Sequence, residues 1–194
     1  MAKMDDTTFR VKIEGINDTV IFNTMPNFTE TVTAKYEETT LTHSIGTIHS
    51  YVNSPGRNFG LNDIKLVSRN SAEARRNLQN LLILKSWTKS YFGIMDAQTE
   101  NWLGAPPEVV YFSAYASSTS RGNFYRIPVV ITSVSTQYTN DIDYIPVSAA
   151  GDELDGSPFP TLTSLTIEMA EQHSASELEK FKLSDYKLGK LTGF

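Results

Sequence analysis

The side chains best suited to acid–base or metal chemistry are scarce in this chain. Three histidines, His43, His49 and His173, are spread over the sequence, and there is no cysteine. His43 and His49 lie in a strand-like region that lacks the tight spacing of histidine and carboxylate ligands that holds a metal ion. The lack of cysteine excludes disulfides, thiolate nucleophiles and cysteine-bound metals. These features favour ordinary structural histidines over catalytic or metal-binding ones.

Carboxylates are abundant, with 22 acidic residues, and two groups of them suggest a calcium hypothesis. The first is Asp141 with Asp143, and the second is Asp152, Glu153 and Asp155. Clustered carboxylate oxygens suit Ca²⁺, but neither group follows the pattern of the EF-hand loop. We interpret both as solvated loop charge and predict no metal site and no cofactor site.

A second hypothesis for the carboxylates is glycoside hydrolysis, which uses two acidic residues across a cleft. Glu37 with Glu38, or Glu168 with Glu171, could supply them, although any chain this rich in acidic residues offers such pairs. No Gly-x-Ser-x-Gly elbow is present for a serine nucleophile. The stretch GRNFG at 56–60 lacks the Lys-Ser/Thr of a phosphate loop. The sequence therefore predicts no catalytic residue and a non-enzymatic protein.

Length and composition are those of an ordinary globular domain. The chain has 194 residues, of which 40% are hydrophobic and 20% charged, with a formal net charge of −5. We predict one domain over 1–194. The acidic balance without a basic block argues against sequence-specific nucleic-acid binding. No apolar run approaches the length of a membrane span, and the first residues lack the apolar core of a signal peptide, so no membrane span is expected.

One long segment, 71–93, has a clear helical period. Asn70 and Ser71 are good N-cap residues, and Glu73 can reach back to the free amides of the first turn. Gly93 follows the last periodic residues and could close the helix in the left-handed conformation. The helix is predicted to pack its apolar stripe on a sheet or a neighbouring subunit. The predicted core residues of this helix are Leu78, Leu81, Leu82 and Trp87.

The rest of the chain alternates apolar and polar residues as strands do. The predicted strands are 9–14, 20–22, one from 31 that continues past 40, 64–67, 109–116, 127–138 and 165–169, with a short helix from Ser174 to Phe181. The count is roughly seven or eight strands with one principal and one minor helix, which is typical of an α+β, mainly β architecture. We predict an antiparallel β-sandwich or barrel with one flanking helix.

The termini and two loops are the predicted contact regions. Residues 1–8 form a short N-terminal arm, and 176–194 carry too many apolar groups for a free terminus, so they should dock on their own domain or on a neighbour. The loops 53–58 and 149–159 are expected to touch neighbouring rings or subunits. The predicted inter-subunit contact residues are Asn53, Pro55, Arg57, Phe181, Tyr186, Leu191 and Phe194.

The order of several motifs resembles a known family. They are LKSWTKSYFG at 84–93, GAPPEVVYF at 104–112, IPVVITS at 127–133, DIDYIP at 141–146, the closing EQHS…ELEKF over 171–181 and LGKL at 188–191. Together they are similar to the baseplate tail-tube initiator or junction proteins of contractile-tailed bacteriophages. That family is related to tail-tube and secretion-system tube subunits. The resemblance covers the chain from about Phe9 to its end.

The resemblance implies a structural virion protein of the phage tail baseplate, assembled in the host cytoplasm. Six copies would form a hexameric ring whose sheets join into one continuous inner β-cylinder, through which DNA passes without specific binding. Adjacent partners would be the baseplate hub and tail-tube rings, with tape-measure and sheath proteins as further candidates. Acidic rings would repel DNA phosphates, and the Thr-rich run 29–42 would suit the lumen wall.

Three alternatives remain open from the sequence. The chain could be the main tail-tube subunit, which differs from the initiator in the number of stacked rings. It could be a cell-wall-acting or carbohydrate-binding baseplate component, for which Glu168 or Glu171 would be needed. It could also be a small ligand-binding β-barrel with a deep apolar pocket.

Overall fold

The computed structural model describes residues 11–22, 24, 26–40, 42, 45–95, 102–115, 124–147, 156–191 and 194, without the side chains of 91–95, 102 and 103. The structure is mainly β, with 50% strand and 17% helix, so the mainly β prediction is confirmed. The elements, in chain order, are β1 (Val11–Glu14), β2 (Thr19–Phe22), β3 (Asn27–Thr31), β4 (Lys35–Thr40), β5 (Thr47–Asn53), β6 (Asn58–Val67), α1 (Ser71–Ser86), β7 (Tyr91–Met95), β8 (Trp102–Ala105), β9 (Val110–Ala114), β10 (Phe124–Tyr138), β11 (Tyr144–Pro146), β12 (Pro158–Pro160), β13 (Leu162–Glu171), α2 (Ala175–Leu178) and α3 (Leu183–Lys187).

Seven strands form one antiparallel sheet in the order β2-β1-β9-β10-β13-β6-β3. Alternation decides which side chains enter the core. Ile13 of β1 lies opposite Val20 of β2 on one side and Phe112 of β9 on the other. All three side chains are fully buried. The remaining strands pair as β4–β5, β7–β8 and β11–β12. The structure therefore contains a large antiparallel sheet, and its arrangement as a sandwich or barrel stays a prediction.

The large sheet is strongly curved. Phe28 of β3 and Phe112 of β9 stack with ring centroids 5.7 Å apart, although four strand spacings separate them in the sheet order. In a flat sheet that separation would be about 19 Å. Two register shifts coincide with residues of positive φ, Asp63 (56°) in β6 and Arg126 (50°) in β10. Such bulges bend a strand, so these residues help fold the concave face into a core.

Helix α1 packs against the core near β2, β6, β11 and β12. It begins as predicted, because the Asn70 side chain accepts a hydrogen bond from the Glu73 amide at 2.8 Å and the Glu73 carboxylate accepts one from the Arg69 amide at 2.8 Å. Leu81 is buried and Leu78 partly buried, as predicted. Trp87 is buried directly after the helix.

Two predictions about this helix are wrong. It ends at Ser86, not at Gly93, which lies within β7. The last carbonyls are satisfied early, because the Ser86 hydroxyl donates to the Ile83 carbonyl and the Thr88 hydroxyl to the Lys85 carbonyl. Leu82 is 46% exposed and is not a core residue. It lies one residue, about 100° of helix rotation, from Leu81 and therefore falls at the edge of the buried stripe.

The number of elements was also underestimated. The described part of the chain holds thirteen strands and three helices, against roughly eight strands and two helices expected. The additional strands lie mostly in the small two-stranded pairs. Both β4 and β5 are exposed along their whole length, so they carry no alternation of buried and exposed residues. The capping box of Ser174 and Glu177 is present, and it begins α2 as predicted.

Candidate functional site

On the face opposite the core, one half of the sheet carries mostly polar, uncharged residues. We define this polar wall by the outward-facing positions of β3, β6, β13 and β10, as their registers place them. It consists of Asn27, Thr29, Thr31, Asn58, Gly60, Asn62, Lys65, Ser164, Thr166, Glu168, Ala170, Val130, Ser133, Ser135 and Gln137. Only Lys65 and Glu168 of these residues are charged, and Lys65 pairs with nearby Asp63 at 2.6 Å.

Close approach of the strands shapes this wall at Gly60. The Thr29 hydroxyl donates to the Gly60 carbonyl at 3.3 Å, and a Cβ on Gly60 would lie 2.5 Å from the same hydroxyl oxygen. A larger residue would therefore have to displace Thr29. The wall can contact a hydrated surface through neutral hydroxyl and amide groups, and it offers little fixed charge for binding an anion.

The β4–β5 hairpin extends from the end of the sheet where β3 stops and β6 begins. Every residue of both strands is exposed. Tyr36 and Tyr51 lie opposite each other with ring centroids 5.8 Å apart, and Glu38 lies opposite His49. A two-stranded hairpin alone is marginally stable in water. The exposed apolar residues of the hairpin and its connections are Val32, Tyr36, Ile45, Ile48, Tyr51 and Val52.

A buried ion cluster lies at the root of this hairpin. Arg57 is 7% exposed, and its guanidinium donates to both carboxylate oxygens of Glu171, at 2.7 Å and 3.1 Å. The Arg57 amide also donates to Glu171, at 2.9 Å. Glu30 accepts a further hydrogen bond from the guanidinium at 3.1 Å. The guanidinium carbon lies 5.2 Å from the ring centre of Phe59, so the pair joins β3, β6 and β13 at one end of the core.

The same cluster fastens the end of the chain. His173 Nε2 lies 2.9 Å from Glu171 Oε1, and the His173 ring stacks on Phe194 with centroids 4.2 Å apart. Phe194 also contacts Phe181, which contacts Tyr186. We call residues 174–191 and 194 the C-terminal strap. The expected docking of the tail is thus made at least in part on its own domain.

The electrostatics make Glu171 a fixed anion. Burial alone would raise the pKa of Glu171, but hydrogen bonds from the side chain and amide of Arg57 and from His173 outweigh it, so the pKa is lowered. Burial opposes the charge of Arg57, yet Glu171 and Glu30 together raise the pKa of Arg57 above its usual value. A carboxylate held ionised in this way suits a structural ion pair and not proton donation.

The predicted hydrolytic pairs do not converge. Glu168 faces the polar wall, where it lies opposite Gly60, whereas Glu171 faces the core side, where it lies opposite Val129. Glu37 and Glu38 are neighbours on an exposed strand and therefore point to opposite sides of the hairpin. Neither pair can flank one glycosidic bond in this arrangement.

The remaining chemical candidates are dispersed. Asp141 and Asp143 are exposed, and no group of three potential ligands gathers in the described ranges. His49 is exposed beside Glu38, with Nδ1 and Oε1 3.7 Å apart. His43, Asp152, Glu153 and Asp155 lie outside the described residues.

The predicted inter-subunit residues differ in what they offer to another chain. Asn53 is exposed and Pro55 half-buried. Arg57 is committed to partners inside the chain, which the sequence did not reveal. Phe181 and Tyr186 remain exposed, whereas Leu191 and Phe194 are half-buried. Their contacts with other copies stay predictions, as do those of the loop 149–159, most of which lies outside the described residues.

The ion cluster is the functional feature that sequence reasoning missed. Its partners lie far apart along the chain, with Glu171 separated from Arg57 by 114 residues. The one feature of the sequence that pointed towards this cluster was the apolar character of the tail. It indicated that the tail docks, but it did not indicate that the tail docks beside Arg57 and Glu171.

The sequence matches no protein-family model and no curated protein sequence. Among the described helices, none has the length and apolar character needed to cross a membrane. The class that the structure shows is a mainly β protein built on a curved antiparallel sheet. Its likeness to phage tail-tube proteins stays a prediction.

Proposed function

We propose that the protein is a non-enzymatic subunit of a contractile phage-type tail. In this proposal it forms a ring at the baseplate, nucleates or joins the tail tube on the baseplate hub, and lines part of the DNA conduit. The observation that carries the proposal is that the strands β3, β6, β13 and β10 of one curved sheet combine a buried apolar face with the nearly uncharged polar wall. Such a wall suits a hydrated bore, because it is polar and carries little charge.

The outer strands of the sheet support association between copies. The strands β2 and β3 end the hydrogen-bonded order, so each presents backbone groups on its outer side. Open edges of this kind promote pairing with other chains unless they are covered. A head-to-tail contact repeated around an axis closes into a ring and covers both edges in every copy. The exposed hairpin β4–β5 would gain a partner in the same assembly.

The composition of the polar wall supports a passage for DNA. Proteins bind the phosphate backbone mainly through lysine and arginine. On the wall Lys65 is already paired with Asp63, and Glu168 would repel phosphate. Hydroxyl and amide groups keep such a surface hydrated without holding the polyanion in place. This is the property that a conduit requires, because a genome must slide through it.

A main tail-tube subunit would use the same surfaces, and only the number of stacked rings distinguishes it. The geometry disfavours a cell-wall hydrolase, because Glu168 and Glu171 face opposite sides of the sheet. In the virion the neighbours would be hub and tube rings, with tape-measure and sheath proteins inside and outside the tube.

The proposal is tested by the mass and shape of the purified protein over a range of concentrations. We expect sedimentation and electron microscopy to show closed rings with a central hole, with a mass of six chains. A peptidoglycan-release assay on the same sample should give no activity above buffer. A protein that stays monomeric at every concentration, or that releases peptidoglycan until Glu168→Gln abolishes the activity, would overturn the proposal.

A further inference from the structure

The C-terminal strap presents an apolar and basic surface outward. Neither α2 nor α3 contains a buried residue. Leu183 is 58% exposed and Leu188 68% exposed. Leu183 and Lys187 are four residues apart in α3 and therefore lie on one face of that helix. Exposed leucines next to an exposed lysine make a surface that another molecule can cover.

This surface is held in place. The stack of Phe194 on His173, and the contacts of Phe181 with Phe194 and Tyr186, tie the strap to the Arg57–Glu171 cluster. The strap therefore presents its leucines in a fixed arrangement, so a partner loses less conformational freedom on binding. An open cleft of about 450 Å³ runs beside it, lined by Arg57, Phe124, Tyr186, Lys187 and other residues.

The hairpin carries the complementary features. Because side chains two residues apart share a face of a strand, Tyr36 and Glu38 lie on one face of β4, together with Tyr51 and His49 of β5. Two exposed tyrosines supply apolar area, and Glu38 supplies negative charge. Thr39 lies on the opposite face.

We propose that the hairpin of one copy docks on the strap of a second copy. Tyr36 and Tyr51 pack against Leu183 and Leu188, and Glu38 pairs with Lys187. The inference rests on the proposed function, since it specifies the contact between copies in the ring.

Three observations on this chain select a second copy as the occupant. The hairpin and the strap are both exposed on the same molecule, so each copy can offer its hairpin to one neighbour and its strap to another. Their charges are opposite, with Glu38 on one side and Lys187 on the other. Lys187 forms no salt bridge within the described part of the chain, so its charge is available for a partner. The two surfaces differ from each other, so the contact can repeat head-to-tail around an axis, as ring closure requires.

Cysteine cross-linking tests the contact directly, because the native chain has no cysteine. One chain carries Tyr36→Cys and a mass-tagged second chain carries Leu183→Cys. A disulfide forms only where the two Cα atoms come within about 7 Å. We expect the mixed disulfide to form under mild oxidation and to be identified by mass. The matched control, Thr39→Cys with Leu183→Cys, should give at least about tenfold less product, because Thr39 faces away.

Charge reversal tests the same contact without oxidation. Glu38→Lys or Lys187→Glu alone should weaken self-association by about tenfold, equal to about 1.4 kcal/mol, because an attraction is replaced by a repulsion. The mixture of the two variants should recover association, because every contact between unlike variants joins opposite charges, whereas Lys190→Glu, a strap control, should change it little. Rings with no preferred cross-link and no recovery would overturn this inference and leave the proposed function standing. A chain that never self-associates would overturn both.

Discussion

The Arg57–Glu171 pair gives the sharpest prediction about stability. Glu171→Gln keeps the shape of the side chain but removes its charge and turns one acceptor into a donor. At least one charge-assisted hydrogen bond from Arg57 is then lost, which costs about 1.5–3 kcal/mol, and Arg57 keeps only Glu30 as a counter-ion. Breaking a buried pair by changing one partner costs about 3–5 kcal/mol. We therefore expect a loss of about 3 kcal/mol in the free energy of unfolding.

For a chain of this length the loss corresponds to a fall in Tm of about 6–12 °C. The assay is thermal or urea unfolding followed by circular dichroism, at neutral pH. The control is Glu168→Gln, the same change three residues earlier on the polar wall, which should alter stability by less than about 0.5 kcal/mol. Equal melting temperatures for the two variants would refute the claim that the cluster holds this end of the core.

The pH dependence of stability provides a second readout of the same pair. The pKa of Glu171 is lowered in the folded protein, so its contribution is present above the unfolded carboxyl pKa. The contribution is lost as the pH falls from that value through the lowered one. Wild type should therefore lose more stability on acidification below about pH 4.5 than Glu171→Gln does. Parallel pH profiles would show that Glu171 does not titrate as the hydrogen bonds require.

Further predictions concern the helix and the strap. Leu84→Ala should cost about 2–5 kcal/mol in unfolding free energy, because the side chain is fully buried, whereas Leu82→Ala should cost less than about 1 kcal/mol; urea unfolding of both variants compares them. Phe194→Ala should raise amide hydrogen exchange across residues 174–191 with little change in the exchange of β6, because the stack on His173 holds the strap and not the sheet. Equal exchange in the strap of both proteins would contradict that role.

The sequence predicted the elements whose pattern is local. Val11 and Ile13 alternate with polar residues and are buried, and the caps of Asn70 and Ser174 begin their helices. It placed β4 inside one long predicted strand that begins at Thr31, and it gave no bounds for β5, which is exposed on both faces and carries little periodic signal. The predicted helix was too long, because the apolar residues after Ser86 are as compatible with a strand as with a helix.

The candidate site was less predictable than the fold. Arg57 lies in a stretch rich in Gly, Pro and Asn and was interpreted as an exposed contact residue. Its burial depends on carboxylates from β3 and β13, which only the folded sheet brings together. The exposed faces of the hairpin and strap likewise depend on which side chains the sheet leaves uncovered. No local pattern contains that information.

The bulge at Asp63 adds one extra residue to the alternating pattern of β6. Leu61 and Ile64 both enter the core although three positions separate them, since Asp63 interrupts the alternation between them. Removing Asp63 would restore the regular alternation of β6 and leave Phe59, Leu61, Ile64 and Leu66 on the core face, but it would take away the bend that the bulge gives the strand. Removing Lys65 while Asp63 stays would instead turn Leu66 to the outer face and Val67 towards the core, so a deletion two positions from the bulge should be far more damaging than one at the bulge.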